Sequence, residues 1–194
     1  MNDEKSKLPV QVFVKGVEKI SRIHAFGTSL FLEDKSSGDW YTGSDFLGVA
    51  TTEKFVKIEA LNKDERVKGK IKLLHLSSSG LWLLTGEGEL FKVPSIQNSS
   101  FCKKVSFQSR LFLVDIATTN SSSFLYVLDS NGKVHYFDGQ TLSKKEIDGQ
   151  TLSKKEIKAE YKSLNIEEKV NQVSSGYENC LAIGVSGSIY NWGM

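Results

Sequence analysis

The chain has 194 residues, of which 39% are hydrophobic and 25% are charged, and its formal net charge is +2. This composition is typical of a globular protein with enough apolar material for a sizeable core. The segment from Asp138 to Lys169 carries seven Lys and seven Asp or Glu residues. It is therefore a poor nucleic-acid arm, because counterion release requires a net basic surface, and we expect no specific nucleic-acid binding.

The sequence predicts a chain without a membrane span. Its first residues, MNDEKSKLPVQ, are charged and lack the apolar region of a signal peptide, and no apolar run approaches the ~18 residues of a spanning helix. The two cysteines, Cys102 and Cys180, suit a reducing compartment and predict neither a metal cluster nor a disulfide framework. We therefore expect a cytoplasmic or nuclear location.

Four segments share one hairpin pattern, in which two apolar-rich runs flank a turn. They read SLFLEDKSSGDWY (29–41), LWLLTGEGELFKV (81–93), FLYVLDSNGKVHYF (124–137) and CLAIGVSGSIYNW (180–192). Their turn glycines, Gly38, Gly88, Gly132 and Gly187, are 50, 44 and 55 residues apart. This period fits a propeller blade of roughly 40–50 residues. In the third hairpin the dipeptide Asn131-Gly132 predicts a tight turn with positive φ at both residues.

The repeat predicts an all-β fold, a partial β-propeller of about four blades built from repeated antiparallel four-stranded units. The chain is expected to form one such domain over residues 1–194. The candidate blades are residues 10–49, 50–94, 101–137 and 158–194. Short alternating apolar runs predict a half-buried strand before each hairpin. A small residue follows each run at Gly27, Ser77, Ser121 or Gly176, which suits the start of an inner strand near the propeller axis.

The segments between the hairpins are predicted to be connectors. Residues 51–70 are charged and hold a short outer-strand candidate at Phe55–Ile58. Pro94 cannot donate to a central ladder, so it marks the end of a strand. The decapeptide DGQTLSKKEI occurs at 138–147 and again at 148–157. Because ten inserted residues would displace every side chain beyond them in a strand, we expect 138–157 to be a surface loop.

The fourth unit resembles the repeat of the regulator of chromosome condensation family. That repeat has a glycine, a histidine three residues later, an Ala-Leu pair, a turn glycine and an apolar-aromatic strand that ends in Trp-Gly. The matching residues here are Gly176, Ala182, Ile183, Gly187, Tyr190, Trp192 and Gly193. Asn179 replaces the family histidine. WD and kelch repeats are the competing propellers, but the chain has no Trp-Asp dipeptide and no Gly-Gly doublet.

The resemblance also implies how such units close. Members of the family close seven blades into a ring, whereas four are found in this sequence. Four blades at that curvature would leave two open sheet edges. The expectation is therefore a partial chain, or edges covered by a partner or by self-association with a second copy.

No residues are predicted to form a catalytic, cofactor-binding or metal site, and no cofactor is expected. His24, His75 and His135 are scattered, and a histidine in an apolar strand is more often structural than a ligand. The segment Thr85–Gly88 has two glycines but no lysine-serine continuation and no following helix, so it does not predict a phosphate-binding loop.

The functional hypothesis is a protein-interaction propeller module, a non-catalytic scaffold or regulator with a protein partner. The alternative, implied by the family resemblance alone, is a guanine-nucleotide exchange regulator of a small GTPase. Exchange requires only a surface that stabilises the nucleotide-free partner, and no residue for it is placed on this sequence. A third interpretation is a truncated or decaying paralogue that does not fold stably.

Overall fold

The computed structural model describes residues 14, 17–26, 29–43, 55–93, 102–119, 123–139, 156–176 and 178–193. In these ranges the strands form four sheets. The first contains β1 (Ile20–Phe26), β2 (Ser29–Asp34), β3 (Trp40–Gly43) and β4 (Val56–Lys57). The second contains β5 (Ile71–Ser77), β6 (Gly80–Thr85), β7 (Leu90–Val93), β8 (Lys103–Phe107) and β12 (Glu156–Ala159). The third contains β9 (Leu113–Thr118), β10 (Phe124–Asp129), β11 (Val134–Asp138) and β13 (Lys162–Ser163), and the fourth contains β14 (Val170–Ser175), β15 (Asn179–Gly184) and β16 (Ile189–Gly193).

The predicted all-β partial propeller is confirmed. The sheets follow one another along the chain, and the first strands β1, β5, β9 and β14 pack on one another in that order. All neighbouring strands are antiparallel except β12, which pairs in parallel with β8. The first strands therefore surround a common centre, and the described sheets form an open arc around it.

The core lies between consecutive sheets, and the central strand β6 of the second sheet buries both of its faces. In β6, Leu81 and Leu83 pack towards the first sheet, whereas Trp82 and Leu84 pack towards the third. All four side chains are at most 1% exposed. Alternate residues of one strand thus serve two interfaces, and this explains why β6 reads as a continuous apolar run.

The four turn glycines occupy equivalent corners, as predicted. Gly38, Gly88, Gly132 and Gly187 have φ values of 70°, 75°, 82° and 88°. The prediction of a positive φ at Asn131 is wrong, because no non-glycine residue among those described has one. Instead, Gly132 N–H donates to Asp129 O at 3.0 Å and Asp129 N–H donates to Lys133 O at 3.0 Å. This pattern is a three-residue turn in which only the last position is left-handed.

Each sheet also carries an irregularity of pairing in its first strand. In the first, second and fourth sheets the register shifts between Ile20 and Arg22, between Ile71 and Leu73, and between Val170 and Gln172. In the third sheet it shifts between Leu113 and Asp115, which pair with Asp129 and Leu128. A bulge turns a side chain to the other face. For this reason Val170 and Val173, three residues apart, are both buried at 4% exposure.

Hydrogen bonds from side chains join neighbouring inner strands near these bulges. The Lys72 ammonium donates to Val114 O at 2.7 Å. One carboxylate oxygen of Asp115 accepts from Val173 N–H at 3.1 Å. Burial raises the pKa of Asp115 despite that bond.

The small residues lie elsewhere than predicted. Ser77 ends β5 and pairs with Gly80, and Gly176 follows β14 and donates to Asn179 O at 2.8 Å. Both are therefore in the turn after the first strand, rather than at the start of an inner strand. Gly27 and Ser121 lie outside the described residues.

The boundaries of the sheets differ from the predicted division by one strand. The outer strands β4, β8 and β13 fall within the predicted blades 50–94, 101–137 and 158–194, yet each pairs with the preceding sheet. The sheet unit is therefore shifted by one strand relative to the hairpin repeat. The fourth sheet has three strands among the described residues.

The two connectors contain more structure than their charge indicates. Residues 59–63 form the helix α1 (Glu59–Lys63), and the fully buried Ile58, Leu61 and Val67 join the core between the first two sheets. The last two residues of the duplicated segment, Glu156 and Ile157, begin β12, so the predicted surface loop is too long at that end; residues 140–155 lie outside the described ranges. No helix among the described residues is long and apolar enough to cross a membrane.

Candidate protein-interaction site

A cleft of about 340 Å³ lies at the turn end of the second sheet. It is bordered on one side by the turn at Glu87–Glu89 and on the other by β8 and the segment that leads to β9. We call it the turn-end cleft and define it by Glu87, Glu89, Lys104, Arg110 and Phe112. It combines an aromatic ring with charged side chains of both signs.

Phe112 is the exposed aromatic of the turn-end cleft, with 52% of its surface accessible. Its backbone is fixed, because its carbonyl accepts from Ser130 N–H at 2.9 Å and the next residue, Leu113, donates to Gly88 O at 3.2 Å. Its ring lies 3.0 Å from the position that a Cβ on Gly88 would take. A large apolar side chain is thus displayed to solvent on a backbone held by two turns, which lowers the entropic cost of binding.

Ion pairs form the rim of the turn-end cleft. Glu89 pairs with Lys104, and Glu87 pairs with Lys70 at 3.3 Å. These groups are partly exposed, so each pair contributes little to stability. A central aromatic surrounded by polar and charged groups is the usual anatomy of a protein-binding surface. The sequence does not single out Phe112, because it lies in the apolar run Leu111–Val114, which is typical of a strand, whereas β9 begins at Leu113.

A second cluster connects Asp129, His135 and Ser163. His135 Nε2 lies 3.0 Å from a carboxylate oxygen of Asp129, and its Nδ1 lies 2.9 Å from Ser163 Oγ. Asp129 and His135 are buried, whereas Ser163 is exposed on the outer strand β13. The ring of Tyr161 packs edge-on to the imidazole, with 4.8 Å between centroids.

These three residue types are those of a nucleophilic triad, but their setting is structural. In such a site the N–H after the nucleophile binds the oxyanion. Here the N–H after Ser163 belongs to Leu164 and donates to Val134 O at 2.9 Å. Hydrogen bonds from His135 and Asn131 N–H lower the pKa of Asp129 against the effect of burial. The cluster therefore braces β13 and the third turn, and we call it the Asp-His-Ser brace.

The two other histidines lie between the first two sheets. The imidazole of His24 packs 5.8 Å from Trp40, and that of His75 packs 5.4 Å from Phe26. Burial, and then the nearby charge of His24, lowers the pKa of His75 to about 4. Burial also lowers the pKa of His24. Both lowered pKa values favour the neutral form of the rings.

The described residues contain no group of three or more His, Cys, Asp or Glu side chains that could hold a metal ion. Cys102 and Cys180 are fully buried free thiols. Burial raises the pKa of both thiols, that of Cys180 to about 12. In this state they are poor nucleophiles and poor metal ligands.

Comparisons with known proteins place the fold. No protein-family model matches the sequence, and no curated protein sequence matches it. Among solved structures, Prp20p from Saccharomyces cerevisiae aligns with a TM-score of 0.59 at 13% identity, over 93% of this chain and 47% of that chain. Human WBSCR16 aligns with a TM-score of 0.57 at 11% identity, over 90% of this chain and 47% of that chain.

A computationally designed protein, Ika4, has a similar extent. It aligns with a TM-score of 0.50 at 8% identity, over 96% of this chain and 99% of that chain. The chain thus spans about half the length of Prp20p and WBSCR16 and the whole of Ika4. The resemblance to the regulator of chromosome condensation family that its fourth repeat predicts is confirmed at the level of the fold, which is an RCC1-like β-propeller.

Proposed function

We propose that this chain is a non-catalytic protein-interaction module that binds its partner through the turn-end cleft. The observation that carries this proposal is the half-exposed Phe112, whose backbone two turns hold in place in a cleft that also contains the ion pair of Glu89 with Lys104. Rigid aromatics of this kind dominate the energy of many interfaces, because they bury a large area with little loss of entropy.

The structural neighbours support a protein partner. Prp20p was crystallised in a study of its binding to Gsp1p, a small GTPase, and to histones. Yeast RCC1 (Prp20) was also crystallised bound to Kap60. The cytoplasmic or nuclear location expected from the sequence stays a prediction, and we propose a protein of one of these compartments as the partner. A small GTPase is the specific candidate.

Purified Gsp1p, core histones and Kap60 serve as probes in a titration against the immobilised chain. We expect one of them to bind, and Phe112→Ala to weaken that binding at least ~10-fold. Phe124→Ala is the matched control, because Phe124 is a 39% exposed aromatic at the opposite end of the β10–β11 hairpin. Binding that Phe112→Ala leaves unchanged, or no binding of any probe at 100 µM (about 5.5 kcal/mol), would overturn the proposal.

The second candidate function is guanine-nucleotide exchange on a small GTPase, which the RCC1-like fold favours. Exchange needs a surface with higher affinity for the nucleotide-free GTPase than for the loaded form. Release of mant-GDP from Gsp1p tests it directly. Acceleration by the chain, lost in Phe112→Ala, assigns exchange to the turn-end cleft. Binding without acceleration leaves the interaction module as the function.

A further inference from the structure

The charges of the turn-end cleft do not cancel. Its two glutamates each have a lysine partner, because Glu89 pairs with Lys104 and Glu87 pairs with Lys70. The remaining charged side chain, Arg110, is exposed, and its guanidinium forms no ion pair or hydrogen bond within the described ranges. The cleft therefore presents one positive charge that is not neutralised by another described residue.

Arg110 lies beside the apolar part of the cleft. It is two residues from Phe112 in the segment between β8 and β9, and both residues line the cleft. The lining also includes Leu90 and Val105, which are only 1% and 3% exposed and have no polar side-chain atom. A segment that fills the cleft thus meets apolar side chains next to one unpaired guanidinium.

A second cavity, of about 480 Å³, adjoins the turn-end cleft at Ser109, which lines both. It has the opposite charge, because its lining contains the exposed Glu160, for which no ion pair is present among the described residues. The hydroxyls of Ser109 and Tyr161 are hydrogen-bonded to each other at 2.6 Å between the two cavities. A carboxylate is therefore repelled from the second cavity and attracted to Arg110, which fixes the side on which an acidic group is favoured.

The chemistry of these side chains defines the group that fits them. A guanidinium donates two parallel hydrogen bonds to a carboxylate, and this geometry makes arginine the preferred partner of Asp and Glu at interfaces. The exposed ring of Phe112 gains free energy only when an apolar group covers it. An acidic residue next to an apolar one therefore complements Arg110 and Phe112 together.

We propose that the turn-end cleft recognises an acidic segment of its protein partner, with a carboxylate paired to Arg110 and a neighbouring apolar side chain against Phe112. This recognition rests on the proposed function, and it specifies the chemistry of the partner. The apolar contact supplies most of the affinity, whereas the charge of Arg110 selects acidic segments over neutral and basic ones.

Two synthetic peptides test the proposal by fluorescence anisotropy with the full chain. The acidic probe is DEDLFDED, and its uncharged twin NQNLFNQN keeps the same Leu-Phe pair. We expect the acidic peptide to bind at least ~10-fold more tightly at low salt and to lose most of this advantage at about 1 M salt, where charges are screened. Equal affinity of the two peptides, or no binding of the acidic peptide at ~1 mM, would overturn the proposal.

Charge reversal locates the contact. Arg110→Glu should abolish the preference for the acidic peptide, whereas Lys35→Glu, which changes the net charge equally on the exposed first turn, should keep it. Both replaced residues are exposed, so both variants should keep the unfolding midpoint of the wild type. A preference that survives Arg110→Glu, or that Lys35→Glu removes to the same extent, would place the acidic segment elsewhere and refute the proposal.

Phe112→Ala separates this proposal from the proposed function. If the wild type binds both peptides equally and Phe112→Ala loses both, the cleft remains the binding site and only the acidic partner is refuted. If Phe112→Ala leaves the binding of the protein probes unchanged, the proposed function itself is refuted. The expected result is that Phe112→Ala weakens both peptides, whereas Arg110→Glu weakens the acidic peptide alone.

Discussion

The carboxylate of Glu168 lies where a side chain on Gly184 would be. A Cβ on Gly184 would overlap both of its oxygens. Glu168 accepts from Ser186 N–H at 2.8 Å, from Ser186 Oγ at 2.7 Å and from the Tyr190 hydroxyl at 3.0 Å. The fourth turn thus receives its carboxylate cap from the segment before β14.

In the third sheet the turn caps itself. Asp129 occupies the position of Gly184, and its carboxylate accepts from the N–H groups of Asn131 and Lys133, each at 2.9 Å. In the fourth sheet two residues therefore take the place of Asp129. Gly184 leaves the space empty, and Glu168 supplies the carboxylate. The coupling is testable by a double-mutant cycle.

Gly184→Ala should lower the midpoint of urea unfolding in the wild type, because the methyl group displaces the Glu168 carboxylate. In a Glu168→Ala background the same change should be neutral or slightly stabilising, since Gly184 has no positive φ and alanine restricts the unfolded chain. Gly187→Ala is the control, and it should destabilise both backgrounds equally. A Gly184→Ala effect of equal size in both backgrounds would contradict the coupling.

Gly132 and Gly187 share a left-handed conformation but differ in their surroundings. A Cβ on Gly132 would lie 2.8 Å from the Cβ and 3.2 Å from the Cα of Lys169, whereas a Cβ on Gly187 would meet nothing within 4 Å. We expect Gly187→Ala to cost about 1 kcal/mol from strain alone. Gly132→Ala should cost about 2–4 kcal/mol, because the backbone at Lys169 must also move. Equal midpoints in thermal unfolding would refute this difference.

Asn131→Ala provides a test of the turn geometry. Because Asn131 has no positive φ, its replacement should change the free energy of unfolding by no more than about 0.5 kcal/mol. If Asn131 were left-handed, as in a two-residue turn, the same substitution would lower the free energy of unfolding by about 1 kcal/mol, because alanine adopts this conformation less readily than asparagine. Chemical denaturation of this variant beside Gly132→Ala distinguishes the two turns.

The repeat of turn glycines was sufficient to predict the fold. Gly38, Gly88, Gly132 and Gly187 need a positive φ that other residues rarely adopt, so their spacing identifies the corners directly. The shift of the outer strands could not be predicted in this way. β4 and β13 have two residues each, and so short a strand has no hydrophobic period of its own.

The candidate sites could not be predicted for a different reason. Phe112 sits in an apolar run that is typical of a strand, and only the hydrogen bonds of its neighbours leave its ring outside the core. Ser163 is distant in sequence from Asp129 and His135, and the pairing of β11 with β13 brings them together. Features that depend on contacts between distant segments leave no local pattern in one sequence.

Acidification should destabilise the contact between the first and second sheets. The unfolded chain takes up protons on His24 and His75 near pH 6.5, whereas in the folded state His75 resists protonation until about pH 4. Stability is therefore full above pH 6.5 and falls as the pH is lowered towards 4, by on the order of 3 kcal/mol for a shift of this size. Urea midpoints measured across this window should decline, and His75→Phe should flatten the decline. A wild-type midpoint that is constant between pH 7 and 4.5 would contradict the neutral, buried state of these rings.

The Asp-His-Ser brace makes the last prediction. Ser163→Ala removes one hydrogen bond to the imidazole and should cost about 1 kcal/mol. His135→Phe keeps the ring against Tyr161 but leaves the buried Asp129 carboxylate without its partner on β11, so it should cost about 3 kcal/mol or more. Chemical denaturation of Ser163→Ala, His135→Phe and Asp129→Asn ranks the three variants by their free energy of unfolding. Hydrolysis of p-nitrophenyl acetate that depends on Ser163 would make the serine a nucleophile and would overturn the structural interpretation. Equal background hydrolysis by the wild type and Ser163→Ala is the result expected of the brace, because the Leu164 N–H is already bonded to Val134 O.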